Sequence, residues 1–212
     1  MKTSSSMARH LSSVTGKVIA LFFISATLLI SPVSQAKEAR AIFAGGCFWC
    51  MEPPFDSTEG VISTTSGYTD GHKQNPTYRE VSAGMTGHTE AVEIIYDPEV
   101  VSYQTLLDIF WVNIDPFAVN RQFCDAGRQY RSGIYPLDDE QSRLAEISKA
   151  EHQQNFNQKI QTEIKPASTF YPAEDYHQDY YMKNPIRYTF YRSSCGRDNR
   201  LKEVWGDKFK KH

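Results

Sequence analysis

Ala41-Ile42-Phe43-Ala44-Gly45-Gly46-Cys47-Phe48-Trp49-Cys50 is the stretch on which the fold turns. Ala41 to Ala44 reads as a short strand, and the paired glycines let the backbone turn tightly at its end. Cys47 to Phe55 reads as a helix start. Pro53 and Pro54 disturb that helix, because a proline inside a helix removes a hydrogen bond and clashes with the preceding turn, so it is expected to be short or kinked. A reactive thiol at such a strand-to-helix corner, with a second thiol three positions on, points to redox or nucleophilic chemistry. Backbone N–H groups and the helix dipole at the corner favour the thiolate of Cys47.

Outward from this corner, Val61 to Ser66 is a β-rich run ending at Gly67, and Gly71 to Thr89 reads as a long polar loop. Glu90 to Tyr96 alternates in the strand manner, with Val92, Ile94 and Tyr96 on one face. Ser102 is a plausible N-cap for a helix over Tyr103 to Ile114, in which Leu106, Leu107, Phe110 and Trp111 recur at helical spacing. Asp115-Pro116 stops it. Phe117 to Gly127 reads as a second loop and Gln129 to Tyr135 as a strand. Asp138 to Lys159 reads as a polar helix that buries Leu144, Ile147 and Phe156. Short strands are expected at Thr162 to Ile164 and Ser168 to Phe170, and a short helix over Ala173 to Met182 that Pro185 ends. A last helix, Arg200 to Phe209, is capped by Asp198. The mixture lacks a regular β-α alternation, which predicts an α+β fold with helices packed on a mostly antiparallel sheet.

The first 36 residues carry a separate message. Lys2, Arg9 and Lys17 precede a thirteen-residue, almost wholly apolar run from Val18 to Ile30, and Ser34-Gln35-Ala36 places small residues where a signal peptidase reads. The run is short for a membrane span, which needs roughly 20 apolar residues. Residues 1–36 are therefore expected to be a removed secretory signal, 37–212 a single domain, and the mature protein periplasmic or secreted, without stable membrane insertion. The chain has 212 residues and a formal net charge of −2; without its leader, 20 basic side chains face 25 acidic ones. That balance argues against nucleic acid as a partner.

All four cysteines, Cys47, Cys50, Cys124 and Cys195, lie beyond the leader. In an exported chain they could form two structural disulfides, with three possible pairings. A zinc site is the poorer alternative, since one Cys-x-x-Cys and two distant single cysteines are weak metal spacing. A thioredoxin-like disulfide oxidoreductase would also carry Cys-x-x-Cys, but no βαβ pattern leads into it here, and Trp49 lies between the cysteines rather than before them.

Gly46 to Cys50 resembles the signature of the methionine sulfoxide reductase A family. Asn75-Pro76-Thr77-Tyr78-Arg79-Glu80-Val81, Gly87-His88-Thr89-Glu90-Ala91-Val92, Gln129-Tyr130-Arg131-Ser132 and Glu174-Asp175-Tyr176-His177-Gln178 resemble that family too, in its order, across essentially the whole mature chain. The resemblance implies a two-layer α/β sandwich around a ferredoxin-like βαβ core. It also implies reduction of methionine S-sulfoxide, free or in oxidised proteins, without metal or bound cofactor. On it, Cys47 is the nucleophile and Glu90 the acid that protonates the sulfoxide oxygen, while Tyr78 and Tyr130 hydrogen-bond that oxygen. Phe48 and Trp49 form the apolar wall for the sulfoxide methyl, and Asp125 and His177 belong to the substrate site.

The residues agree chemically. A sulfoxide must be protonated or strongly hydrogen-bonded before a thiolate attacks its sulfur, and Glu90 opens an apolar strand where a carboxyl keeps its proton to higher pH. Cys47 and Glu90 are expected to titrate together. Attack leaves a sulfenic acid on Cys47, which a nearby thiol condenses with. Cys50, at i+3 on the same helical face, is the expected resolving cysteine. Cys195, in the C-terminal segment, is either a second resolving thiol or a bystander; Cys124 has no assigned role. The regenerating partner is expected to be an exported thioredoxin-like protein.

Overall fold

The computed structural model describes residues 38–211, so the expected signal segment lies outside the described residues. Its centre is strand β1 (Ala39–Gly45), flanked by β3 (Thr89–Tyr96) and β6 (Ser132–Ile134). With β2 (Val61–Thr69), β7 (Glu163–Ile164) and β8 (Tyr171–Pro172) they make a six-stranded sheet in the order β7-β6-β1-β3-β2-β8, antiparallel except where β6 meets β7. The fold is mixed α and β with a mostly antiparallel sheet. Among the described residues no helix is long and apolar enough to cross a membrane.

One face of the sheet carries the main core. Alternation on β1 and β3 sends Ala41, Phe43, Val92, Ile94 and Tyr96 into it. They meet Phe55 of α1 (Glu52–Asp56) and Leu106, Leu107, Phe110 and Trp111 of α3 (Tyr103–Val112). Phe43 stacks between Phe55 and Phe110 at ring-centroid distances of 5.6 and 5.1 Å. Buried polar tips find partners: Trp111 donates to Ser148 Oγ of α4 (Asp139–Gln153) at 2.8 Å. Trp205, at the end of α7 (Arg197–Trp205), donates to the Ile114 carbonyl at 2.8 Å. The opposite face has a smaller cluster of Ile42, Ala44, Ala91 and Tyr135.

The double glycine at the end of β1 is dictated by close approach. A Cβ on Gly45 would lie 2.4 Å from Met51 Sδ. Gly46 has φ +80°, and a Cβ there would lie 2.5 Å from Gln122 Cβ.

Several expected elements shift. Cys47 to Phe55 is a single 3₁₀ turn, Phe48–Cys50, followed by α1, because Pro53 and Pro54 are tolerated only in a first helical turn. β2 runs through Gly67 to Thr69. The loop before Thr89 contains a short helix, α2 (Tyr78–Ser82), started by a Thr77–Glu80 capping box. The Phe117 to Gly127 loop contains a small hairpin of β4 (Arg121–Gln122) and β5 (Asp125–Ala126). Gln129 and Tyr130 close a 3₁₀ turn, and the strand begins only at Ser132. Asp138 caps α4, which ends at Gln153 and leaves Ile147 exposed while Gln141, Ala145 and Ser148 are buried. Tyr171–Pro172, not Ser168 to Phe170, forms the second short strand. Of the helix expected over Ala173 to Met182, only α5 (Tyr180–Lys183) forms. Pro185 opens α6 (Pro185–Ser194) rather than ending a helix, and α7 starts after Gly196, three residues before the expected bound.

Candidate active site

β1 delivers Cys47 to the mouth of the 3₁₀ turn, where Cys50 N–H donates to the Cys47 carbonyl at 3.1 Å. Both thiols are free and buried, at 6 % and 1 % exposure, and hydrogen-bonded to each other. Glu90, on β3, is 2 % exposed, and its carboxylate oxygen accepts from the Phe48 N–H at 3.1 Å. One backbone amide thus fixes the carboxyl beside the nucleophile's own turn.

Cys47, Phe48, Trp49 and Glu90 line a cavity of about 60 Å³ together with Tyr78, Tyr130 and Asp125. Seven of the ten residues the sequence put forward therefore meet in one small hollow, of a size for the end of one side chain. Larger hollows lie elsewhere, such as one of about 540 Å³ beside α3, but no thiol lines it.

The other three stand outside. Cys50 lies behind the cavity, packed with Tyr180 and Tyr188. His177 braces the aromatic wall: its Nδ1 accepts from the Trp49 indole at 3.1 Å, and its ring lies 5.0 Å from Phe48 and 4.3 Å from Tyr78. Burial lowers its proton affinity, which keeps the imidazole neutral for that acceptor role. Cys195 is joined to Cys124 in a disulfide, so in this state it is not a free resolving thiol.

The electrostatics differ from the expectation at the nucleophile. Burial pushes the Cys47 thiol well above its ordinary value, helped by Cys50, Glu90 and Asp125. A single 3₁₀ turn supplies little dipole to oppose this. Cys50 is drawn down to about 6, first by the hydrogen bond from Cys47, against burial, with Arg197 and Arg192 adding. Cys47 therefore shares its proton chiefly with Cys50, and the two titrate as a pair. Burial raises Glu90 to about 8, opposed by the Phe48 N–H and reinforced by Asp125 and Cys50, so the carboxyl holds its proton near neutral pH. Tyr78 and Tyr130 are raised by burial and then by Glu90, which leaves two neutral phenols as donors.

Two groups escaped the sequence reading. Tyr191 of α6 lines the cavity and donates to an Asp125 carboxylate oxygen. Arg197 is buried, donates to the Gly45 and Asn113 carbonyls at 3.2 and 2.7 Å, and so grips the glycine corner. The available signal was Pro185 as a first-turn residue followed by Tyr188-x-x-Tyr191, two rings one turn apart on one face.

The arrangement combines a thiol pair, a proton-carrying carboxyl and neutral hydroxyl donors around a small hollow, which suits reduction of a small polar group on an apolar side chain. The pattern of the peptide methionine sulfoxide reductase family matches residues 39–209. The chain belongs to the peptide methionine sulfoxide reductase family. It is 49 % identical over 174 residues to peptide methionine sulfoxide reductase MsrA of Bacillus licheniformis, covering 81 % of this chain and 96 % of that one. With MsrA of Streptococcus pyogenes the identity is 53 % over 168 residues, covering 78 % and 98 %. Among solved structures, reduced Mxr1 of Saccharomyces cerevisiae superposes with a TM-score of 0.68 at 33 % identity, over 71 % of this chain and 88 % of that one. Mxr1 in complex with Trx2 superposes with a TM-score of 0.50 at 25 % identity, over 73 % and 91 %.

Proposed function

We propose that this protein reduces methionine S-sulfoxide, free or in proteins, to methionine, with Cys47 and Cys50 as its electron source. The observation that carries the mechanism is the meeting of the Cys47 thiol and the proton-holding Glu90 carboxyl in one buried hollow. The sulfoxide methyl packs on Phe48 and Trp49, as aromatic rings accept sulfur groups well. Tyr78 and Tyr130 donate to the sulfoxide oxygen, and Glu90 passes it a proton. Cys47, giving up the proton it shares with Cys50, attacks the substrate sulfur. The hydroxyl then passes from the substrate sulfur to the Cys47 sulfur as the S–O bond and the newly formed sulfur–sulfur bond both break, methionine leaves, and Cys47 carries the oxygen as a sulfenic acid.

Cys50 then attacks the Cys47 sulfur, water departs, and a Cys47–Cys50 disulfide remains. The two electrons that reduced the sulfoxide have come from two thiols. Cys50 is already drawn toward the thiolate and sits one 3₁₀ turn from Cys47, which favours it over a distant cysteine as the resolving group. An external dithiol protein restores the pair. Mxr1 is solved with Trx2, and by analogy the reductant here is thioredoxin-like.

The leader adds a location to this reading. Its basic start, apolar run and small-residue end support export to the periplasm or beyond, removal of residues 1–36, and repair of exported proteins by an exported reductant. The strand order β6-β1-β3-β2, with helices between β1 and β2 and between β3 and β6, supports a ferredoxin-like core for the single domain at 37–212.

The test is a single-turnover assay of the reduced protein on separated epimers of a methionine sulfoxide peptide. Methionine from the S epimer alone, with two thiols lost per turnover, is expected. No methionine from either epimer, with the thiols still reducing a model disulfide, would turn the reading to a disulfide oxidoreductase.

A further inference from the structure

The Cys124–Cys195 disulfide joins two elements that each give one residue to the site. Cys124 stands in the turn of the β4–β5 hairpin, and the next residue, Asp125, lines the catalytic hollow. Cys195 caps α6, its N–H donating to the carbonyl of Tyr191 at 3.0 Å, and Tyr191 lines the same hollow. The Tyr191 hydroxyl donates to Asp125 across the gap. The covalent bond and this hydrogen bond thus run side by side between the same two elements, and an Asp125 carboxylate oxygen lies within 4.8 Å of both sulfurs.

The rest of the hairpin is anchored on its far side. Gln122 donates to the Asp115 carbonyl at 2.7 Å and accepts from the Asp115 N–H at 2.9 Å, while the Arg197 guanidinium lies over the Phe123 ring at 4.4 Å. Near the hollow, the disulfide and the Tyr191 hydroxyl hold Cys124 and Asp125 against α6. A single hydrogen bond to a partly buried carboxylate is a weak tie by itself. A cross-link between chain segments 71 residues apart keeps the Tyr191 donor and the Asp125 acceptor facing each other without further ordering cost. A hollow of about 60 Å³ tolerates little drift of its wall.

We infer that the Cys124–Cys195 disulfide is a positioning device: it holds Asp125 and Tyr191 in register over the Cys47 hollow and does not turn over with the catalytic pair. Cys47 and Cys50 lie together as a buried thiol pair, and Cys124 and Cys195 are joined apart from them, so the catalytic pair is complete without the outer one. Cys124 is exposed, so a strongly reducing medium opens the outer bond and loosens the site. The inference rests on the reductase reading.

The test is single-turnover methionine formation from an S-sulfoxide peptide at subsaturating concentration. The wild-type protein is prepared with Cys47 and Cys50 reduced and the outer bond intact, verified by differential alkylation and mass. It is compared with Cys124→Ser/Cys195→Ser, with Tyr191→Phe, and with the variant carrying all three changes. Each partial variant is expected to lose about tenfold, and the combined variant to lose no more than Tyr191→Phe alone, because both changes remove one constraint. Multiplicative losses would mean that the disulfide serves general stability and would overturn the inference. Unchanged single turnover in the serine pair, with failed recycling by a protein dithiol, would overturn it in favour of a relay. A wild-type protein that makes no methionine would refute the reductase reading instead. Should the serine pair not fold, wild-type protein poised in dithiol buffers gives the same answer: the rate should track the joined fraction of the outer pair, and a rate indifferent to it would contradict the inference.

Discussion

Glu90 and Cys50 are the residues whose proton affinities place the working pH. The carboxyl keeps its proton up to about pH 8, and the thiol pair gives up its first proton near 6, the value to which Cys50 is drawn down. The sulfoxide step needs the pair deprotonated once and Glu90 protonated. Its single-turnover rate should therefore rise as pH passes about 6 and fall as pH passes about 8, a bell with both limbs set by buried groups. Glu90→Gln should slow this step by about 10²-fold or more and remove the upper limb, while alkylation of Cys47 proceeds as before. A full-speed variant would remove Glu90 from its role. The same substitution has a stability signature of opposite sense. A carboxyl with raised affinity in the folded state binds its proton there after the unfolded chain has released it, so its contribution to stability declines as pH climbs from the ordinary carboxylate range to about 8. At pH 9 the Gln variant should be more stable than wild type, by on the order of 1–3 kcal/mol in denaturant melts; at pH 4 this advantage should vanish.

Among the elements, the strand-to-turn corner is the least forgiving. Gly46 has φ +80° and lies under Gln122, so Gly46→Ala should cost roughly 1–3 kcal/mol, read as a lower denaturant midpoint, and displace Cys47 from Glu90. A neutral outcome would show that Gln122 yields and that the glycine is dispensable. This corner was legible from sequence because its signals are local: two glycines, two thiols and two prolines in ten residues. β3 and α3 were legible for the same reason, through alternation and through Ser102, which accepts from Thr105 N–H as an N-cap. α6 was not. Its Pro185 reads equally as a stop or as a first-turn residue, and the choice depends on Tyr188 and Tyr191 finding Cys50, Trp49 and Asp125 far along the chain. The hairpin at Asp125 was missed because two-residue strands leave no period to count.

Across the whole molecule, the site is a convergence of distant segments. Cys47, Tyr78, Glu90, Asp125 and Tyr191 span most of the described chain and meet only because β1 and β3 lie side by side at the centre of the sheet. Which residue types the chemistry needs could be read from the sequence, and the resemblance ranked them. What stayed hidden was how burial redistributes protons, since this depends on three-dimensional surroundings: Cys47 was expected as the low-affinity thiol, yet burial raises it and the shared proton draws Cys50 down. The pairing of Cys124 with Cys195 was equally unreadable, one of three possibilities until the hairpin and α6 came together. The central claim is that Cys47 takes the substrate oxygen and Cys50 removes it. The most direct measurement is mass spectrometry of Cys50→Ser after one equivalent of S-sulfoxide peptide. One methionine formed per protein, with a dimedone-reactive sulfenic acid on Cys47 that persists and blocks a second turnover, is the predicted result. Continued cycling of the variant with a protein dithiol, or oxygen found on a different cysteine, would contradict it.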